Sequence, residues 1–357
     1  MKRLHGLLTM SCAALLIAGA PLSPASAAKK KEFNIAWTNY VGWVPWSYAA
    51  EHGILEKWAG KYGITIHLRQ FNDYVESVTQ YASGKFDGVT VNNMDALAIP
   101  AAGGLDTTAI IMGDYSNGND AVVLKGGESL TDIKGRSVNM VELSVSHYLL
   151  ARGLSSVNLS EHDLKAVNVA DADIVDSFKS AASTAVVTGN PKLMAVQRQP
   201  AATEVFDSSE IPGEIENLLV INTKTLKDNP ALAKALVGAW YETIALLKDS
   251  GERGNAARLA MAKTLSTDVA GFEAQLNKIY LFSSPLEALK FTKSARLHEI
   301  TDLVRTFCFE HRLLGTKAKS KDAIGIEFPG HKVLGDKTNV KMRFDLTYMR
   351  LAAQDRL

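Results

Sequence analysis

Cysteine is almost absent from this chain. Only Cys12 and Cys308 occur in 357 residues, and Cys12 lies in an N-terminal segment that we expect to be removed. The mature protein would then have no intramolecular disulfide, which a core of the size expected here does not need. No cysteine cluster can hold zinc, and the histidines show none of the paired spacings typical of metal sites. We therefore predict no metal and no cofactor.

An excess of charge of one sign is missing as well. The chain has 39 basic residues, and without Lys2 and Arg3 the remaining 37 balance 38 acidic ones. This balance argues against nucleic acid or an anionic membrane as a partner. Catalytic patterns are equally scarce. His147 stands beside Ser146, but neighbouring residues of a helix point in different directions, so we do not expect a nucleophile pair and predict that the protein is not an enzyme.

Long apolar runs are confined to the N-terminus. Residues 7–20 are broadly apolar, follow the basic pair Lys2 and Arg3, and precede the small residues Ala25-Ser26-Ala27. This is the pattern of a secretory signal with a cleavage site, and its apolar part is too short for a comfortable membrane span. We predict that residues 1–27 are a cleaved signal peptide and that the mature protein is exported.

Aromatic residues are concentrated near the start of the mature chain. Four of the five tryptophans lie within residues 33–58, where a short apolar run predicts a strand. A loop with Gly42 and Pro45 follows, and a helix follows the loop. In α/β folds the loop after the first strand lies at the carboxyl edge of the sheet, where ligands bind. These aromatic side chains therefore face either a ligand or the packing between strand and helix.

The rest of the chain alternates strands and helices. Predicted strands at residues 64–68, 86–91 and 107–112, with a helix capped by Asp73, indicate a doubly wound α/β sheet. About 330 mature residues exceed one ordinary core, and the same alternation is repeated, so we predict two lobes. The predicted lobe 1 is residues 28–118 plus 224–357, and lobe 2 is residues 119–223. Crossings are expected near residues 114–120 and 221–223, and the tail from Gly315 is expected to be irregular and to wrap lobe 1.

The predicted ligand site draws on strand ends that would meet between the lobes. The segments concerned carry aromatic, amide, hydroxyl and carboxylate groups but neither lysine nor arginine, which favours a small planar cation over an anion. Glu142 is the carboxylate that we expect to contribute most. Asp95, Ser144, Ser146 and Asp173 have an alternative reading as helix caps. The candidate ligand-binding residues are Trp37, Asn39, Tyr40, Trp43, Trp46, Asn93, Asp95, Asp114, Glu142, Ser144, Ser146 and Asp173.

Five stretches of the chain resemble a known family. They are FNIAWTNYVGWVPWSYAAEHGILEKW, GKFDGVTVNNMDAL, DIKGRSVNMVELSVSHYLLAR, VFDSSEIPGEI and NVKMRFDLTYMRLAA. They are similar to the NMT1-like, sulfonate- and thiamine-precursor-type binding proteins of ABC transporters, in the branch encoded beside urea carboxylase genes. One departure is Gly189-Asn190-Pro191, where that branch has tryptophan before Asn-Pro.

The resemblance implies a type II periplasmic binding protein fold, with two doubly wound lobes joined by two crossover segments. It also implies a monomer in the periplasm that delivers a small nitrogen compound to an ABC transporter permease in the inner membrane. Urea is the usual assignment, and guanidine is a candidate because enzymes associated with the branch prefer it. The alternatives are a sulfonate or taurine binder, a periplasmic sensor, and an enzyme like the thiamine-pyrimidine synthases, whose cysteine-rich run this chain lacks.

Overall fold

The computed structural model describes residues 30–357, so the predicted signal peptide lies outside the described residues. Short runs of apolar and β-branched residues form the strands. The strands are β1 (Glu32–Thr38), β2 (Thr65–Phe71), β3 (Gly88–Asn92), β4 (Thr107–Ser116), β5 (Asp120–Lys125), β6 (Ser137–Met140), β7 (Lys165–Asn168), β8 (Ala185–Gly189), β9 (Ala202–Asp207), β10 (Glu216–Asn222), β11 (Ile279–Leu281), β12 (Gly325–Phe328), β13 (Lys332–Leu334) and β14 (Val340–Phe344).

These strands form two sheets, one for each lobe. The larger sheet has the order β13-β12-β14-β4-β10-β3-β1-β2, with β11 paired to β4, and the smaller has the order β7-β6-β8-β5-β9. β1 pairs in parallel with β2 and β3, whereas β10 runs antiparallel to both of its neighbours, β3 and β4. The fold is the predicted α/β arrangement of two lobes, with mixed sheets in place of purely parallel ones.

Two segments connect the lobes. The first is residues 117–119 between β4 and β5, within the range that the sequence predicts. The second is residues 208–215 between β9 and β10, because β10 pairs in the larger sheet. The predicted crossing at residues 221–223 is therefore wrong, and lobe 2 ends before β10. An apolar strand reads alike in either lobe, so only its pairing reveals the lobe to which it belongs.

Helices cover the sheets, and several begin where the sequence signals a start. Asp73 accepts the backbone N–H of Glu76, and Pro230 occupies the first turn of the long helix. The helices are α1 (Pro45–Glu51), α2 (Ile54–Lys61), α3 (Tyr74–Ala82), α4 (Asn93–Ala96), α5 (Val145–Ser156), α6 (Ile174–Lys179), α7 (Lys192–Gln197), α8 (Thr223–Asp228), α9 (Pro230–Lys248), α10 (Glu252–Thr264), α11 (Val269–Leu276), α12 (Pro285–Thr292), α13 (Ala295–Glu310) and α14 (Thr347–Ala353).

The C-terminal tail is not irregular. Strands β12 to β14 extend the larger sheet, β14 pairs in parallel with β4, and α14 packs near α9 and α12. The basic residues of this segment lie between buried apolar ones such as Ile326 and Met342. None of the helices within residues 30–357 combines the length and apolar character that a membrane crossing needs.

Candidate ligand site

The loop after β1 turns sharply at the carboxyl edge of the larger sheet. The backbone N–H groups of Trp43 and Val44 both donate to the Tyr40 carbonyl, and Pro45 then begins α1. Gly42 packs directly against Asp114, since a Cβ at this position would lie 2.2 Å from Asp114 Oδ2. Only glycine leaves room for the carboxylate, so this turn and Asp114 have to be considered together.

Asp114, near the end of β4, is wholly buried. Its Oδ1 accepts hydrogen bonds from the Tyr40 hydroxyl at 2.9 Å and the Asn217 amide at 2.9 Å. Its Oδ2 has no partner within residues 30–357. Burial raises the pKa of Asp114 to about 7, against the lowering effect of the two hydrogen bonds, and the nearby charge of Asp120 adds to the rise. The group therefore changes its charge near neutral pH.

A second buried carboxylate, Asp95, lies in α4 after β3. Its Oδ2 accepts from the Tyr74 hydroxyl at 2.8 Å and from the Asn92 amide at 2.6 Å. Burial raises the pKa of Asp95, while these two hydrogen bonds oppose the rise. The helix cap is Asn92, which accepts the backbone N–H of Asp95, so Asp95 does not have the capping role considered as its alternative.

Trp43 connects these two carboxylate centres. Its ring meets Tyr40 edge-on at 5.0 Å and stacks on Tyr74 at 5.8 Å. The order in space is Asp114, Tyr40, Trp43, Tyr74, Asp95, and we name these five residues the aromatic–carboxylate row. It presents aromatic surface between two acids, an arrangement suited to a flat cation.

Two further buried carboxylates lie nearby, Glu216 at the same edge of the larger sheet and Asp120 at the start of β5 in the smaller sheet. Glu216 begins β10 opposite Tyr115, next to the Asn217 that binds Asp114, and neither of its carboxylate oxygens has a partner in the described chain. Burial raises the pKa of Glu216 far above its usual range. Asp120 accepts from Ser116 and Asn119, and burial raises its pKa too. Throughout residues 30–357, no basic side chain forms an ion pair with any of the carboxylates Asp95, Asp114, Asp120 and Glu216.

Basic residues do approach the crossing but are already paired. Glu214, almost wholly buried, accepts from Arg152 of α5 at 2.7 Å, from the Tyr148 hydroxyl at 2.7 Å and from Arg296 of α13 at 3.4 Å. This cluster ties helices of both lobes to the crossing segment. Arg152 pairs with Glu214, and Arg296 pairs with both Glu214 and Glu299, so each arginine already has a carboxylate partner.

The other predicted ligand residues of the larger lobe lie outside the aromatic–carboxylate row. Trp37 and Trp46 are buried in the core, where Trp46 stacks on Trp240 at 5.1 Å, and neither belongs to the row. Asn93 is buried and donates to the Glu214 carbonyl at 3.0 Å. Asn39 is exposed and its side chain forms no hydrogen bond with any described residue.

The predicted residues of the smaller lobe do not join the row. Glu142 and Asp173 are exposed, and Glu142 uses its backbone N–H to donate to Asn168. Ser144 is the N-cap of α5 and accepts the backbone N–H of Ser146, the capping role considered as its alternative. Ser146 is buried in the first turn of α5. Glu142 thus lies outside the row, and its role as the main carboxylate stays a prediction.

Sequence reasoning missed Tyr74, Asn92, Asn217 and Glu216 as site residues. Asn92 could have been predicted from the sequence, because it lies at the end of a predicted strand, directly before the predicted ligand residue Asn93. In the sequence, Tyr74 looks like one more apolar position of α3, and Glu216 and Asn217 fall within the predicted range of lobe 2. A groove of about 590 Å³ lies elsewhere, at the opposite ends of β4 and β10, and is lined by Thr108, Thr223 and Arg343 among others.

Two sheets joined by two crossings, with buried polar groups where the strands end, are the architecture of the periplasmic binding proteins. The solved structures agree. The aliphatic sulphonate binding protein SsuA of Escherichia coli is 17% identical with a TM-score of 0.67, over 81% of this chain and 95% of that one. A putative sulfonate-binding protein of Methylobacillus flagellatus KT is 12% identical with a TM-score of 0.67, over 92% and 96%. The nitrate-binding protein NrtA of Synechocystis PCC 6803 is 14% identical with a TM-score of 0.57, over 91% and 89%.

The sequence itself matches a family model. Residues 26–262 match the model of the NMT1-like family, and the chain belongs to that family. Among curated proteins, no sequence matches the chain. The resemblance to this family is therefore confirmed, and the branch within it stays a prediction.

Proposed function

We propose that this protein is the periplasmic solute-binding component of an ABC importer and that it captures guanidinium between its lobes for delivery to the permease. The observation that carries the proposal is the set of four buried carboxylates without a basic partner in residues 30–357. A buried carboxylate without a counter-charge is costly, so a site that gathers four of them is suited to a ligand that brings positive charge.

The shape of the aromatic–carboxylate row favours a planar cation. The unpartnered Asp114 Oδ2 lies beside the loop that carries Tyr40 and Trp43, so a bound cation would have a carboxylate at its edge and rings near its face. Guanidinium has coplanar N–H donors that match a carboxylate, and aromatic rings attract such a cation by about 0.5–2 kcal/mol. Urea offers similar donors without the charge, so we expect it to bind more weakly.

Sulfonate is the alternative that the named structural neighbours suggest, because two of them are described as sulfonate-binding. An anion would need free positive groups or helix N-termini. Arg152 and Arg296 are engaged with Glu214, and the carboxylates of the row would repel a sulfonate. We also propose that the protein acts as a monomer and binds without chemical turnover, so that the ligand should be recovered unchanged.

Titration calorimetry of the purified protein with guanidinium, urea and taurine tests this proposal. We expect guanidinium to bind most tightly, and Asp114→Asn to weaken its binding by about 10- to 100-fold through loss of a charge-assisted contact. Asp87→Asn is the matched control. Asp87 is also buried, but it lies beside the start of β3 and pairs with Lys30. Tighter binding of taurine than of guanidinium, or equal effects of the two substitutions, would contradict the proposal.

A further inference from the structure

Helices from the two lobes also meet each other directly. α5 of the smaller lobe packs against α13 of the larger, where Tyr148 meets Phe307 edge-on at 5.3 Å. Beside this contact the imidazole of His311, at the C-terminus of α13, stacks on Phe307 at 4.0 Å. Its Nε2 lies 3.1 and 3.2 Å from the two carboxylate oxygens of Glu161, which belongs to the smaller lobe. A titratable pair therefore bridges the lobes.

The partners of His311 define its protonation. Its Nδ1 lies 3.0 Å from the Phe307 carbonyl, and its Nε2 faces the Glu161 carboxylate. Both partners can only accept hydrogen bonds, so both ring nitrogens must carry a proton to satisfy them. The geometry is thus that of an imidazolium ion, and deprotonation would remove one of the two hydrogen bonds.

His147 completes the cluster from α5. Its Nδ1 accepts the backbone N–H of Leu143 at 3.1 Å, and its Nε2 lies 3.3 Å from Glu161 in a contact that falls short of hydrogen-bond geometry. Two histidines and one carboxylate are also a zinc ligand set. The Leu143 hydrogen bond, however, places the proton of neutral His147 on Nε2, the atom that would have to ligate the metal, and so disfavours that reading.

We infer that Glu161 and His311 form a proton-controlled latch between the lobes, closed while His311 carries both protons and weakened when it loses one. The latch also contacts the loop of the smaller lobe that carries Glu142. The imidazole of His147, which faces Glu161, accepts the backbone N–H of Leu143, the residue after Glu142. Leu143 has a left-handed conformation with φ of 63°. The inference rests on the lobe closure that the proposed function requires, but not on the identity of the ligand.

The direction of the pH dependence follows from the charges around the pair. The hydrogen bond to Glu161 raises the pKa of His311 against the opposing effect of its partial burial, and the charge of Glu310 adds to the rise. Contacts with His147 and His311 hold the pKa of Glu161 well below its usual range. Asp163, two residues after Glu161, pairs with Lys134 from the turn before β6. The His311 contribution is complete below its unfolded pKa of about 6.5 and is lost as the pH rises through its raised value.

Distances between two spin labels, one on each lobe, test the latch in the protein without ligand. Exposed Lys85 of the larger lobe and Lys165 of the smaller lobe can be replaced by cysteine for labelling. Cys308 is buried and burial raises the pKa of its thiol, so it should stay unlabelled. We expect the ratio of open to closed protein to rise several-fold between pH 6 and pH 8.5, as His311 gives up one of its two protons.

Variants separate the latch from a general loss of stability. His311→Gln and Glu161→Gln should remove the pH dependence, and His311→Arg should keep the lobes closed at every pH because its charge is permanent. His331→Gln is the matched control, since His331 pairs with Glu327 inside the larger lobe alone. An unchanged pH profile in folded His311→Gln or His311→Arg would overturn the inference, as would lobe closure that requires zinc and is abolished by a chelator. Absence of guanidinium binding with an intact pH profile would overturn the proposed ligand alone.

Discussion

The two lobes hold their predicted ligand residues in opposite ways. In the larger lobe Tyr40, Trp43, Asp95 and Asp114 are linked through hydrogen bonds and ring contacts, and both acids are buried. In the smaller lobe Glu142 is exposed and Ser144 caps a helix. Under the proposed function, the larger lobe would carry a preformed half-site. The smaller lobe would then serve as a cover, and the latch between α5 and α13 would adjust its position.

Substitutions that remove a carboxylate charge from one lobe or the other should give the largest difference between the lobes. We expect Asp114→Asn and Asp95→Asn each to weaken guanidinium binding by about 10- to 100-fold, because each removes a buried negative charge from the aromatic–carboxylate row. Glu142→Gln and Asp173→Asn should each change the dissociation constant by less than about threefold, since exposed charges are screened by water. Calorimetry on the four variants provides the measurement.

The opposite ranking would be informative. A tenfold loss in Glu142→Gln together with near-normal binding by Asp114→Asn would show that the smaller lobe supplies the charge. It would also restore Glu142 to the role that its place after a strand first suggested.

The next largest effect that we expect is a pH dependence of guanidinium binding, which would depend on Asp114 of the larger lobe. The pKa of Asp114 is about 7 because burial disfavours its charged form. Below that value the side chain holds a proton and cannot attract a cation, so affinity for guanidinium should fall by up to about tenfold per pH unit. Guanidinium itself stays charged over this range. Dissociation constants at pH 6, 7 and 8 measure the effect.

The latch would affect binding in the opposite direction, because it favours closed lobes at low pH. The state of the latch therefore has to be held constant while the Asp114 effect is measured. The His311→Arg variant keeps its positive charge at all of these pH values, so the titration of Asp114 can be read in that background. Asp114→Asn in the same background should give a flat profile. A slope that persists without the Asp114 carboxylate would assign the pH dependence to another acid, with Asp95 and Glu216 the next to test.

The smallest expected effect compares one helix cap from each lobe. Ser144→Ala and Asp73→Ala each remove a side chain that accepts a backbone N–H at the start of α5 and α3. Each should lower the free energy of unfolding by about 1 kcal/mol, with guanidinium affinity nearly unchanged. Chemical denaturation and calorimetry on both variants check this. A tenfold loss of affinity in Ser144→Ala, absent from Asp73→Ala, would make Ser144 a ligand contact.

Local signals in the sequence predicted much of the fold. The alternation of strands and helices and the Asp73 cap depend on neighbours in the chain, and the structure confirms them. The errors concern pairing between distant segments. β10 belongs to the larger lobe although it was assigned to lobe 2, and the segment after Gly315 forms strands of the larger sheet. A short apolar run does not specify which strand it will pair with.

By itself the sequence determined that this chain is a two-lobed α/β protein with an aromatic loop at a strand end, since periodicity, caps and turns are written in adjacent residues. It also indicated carboxylates and aromatic rings as the chemistry of the proposed site. Only the tertiary structure decided which of them meet. Asp114 and Tyr40 are 74 positions apart, and Asn217 reaches Asp114 from a strand 103 positions further on. Burial and unpaired oxygens are properties of that assembly, so the selection of Asp114 and Glu216 over Glu142 required the fold.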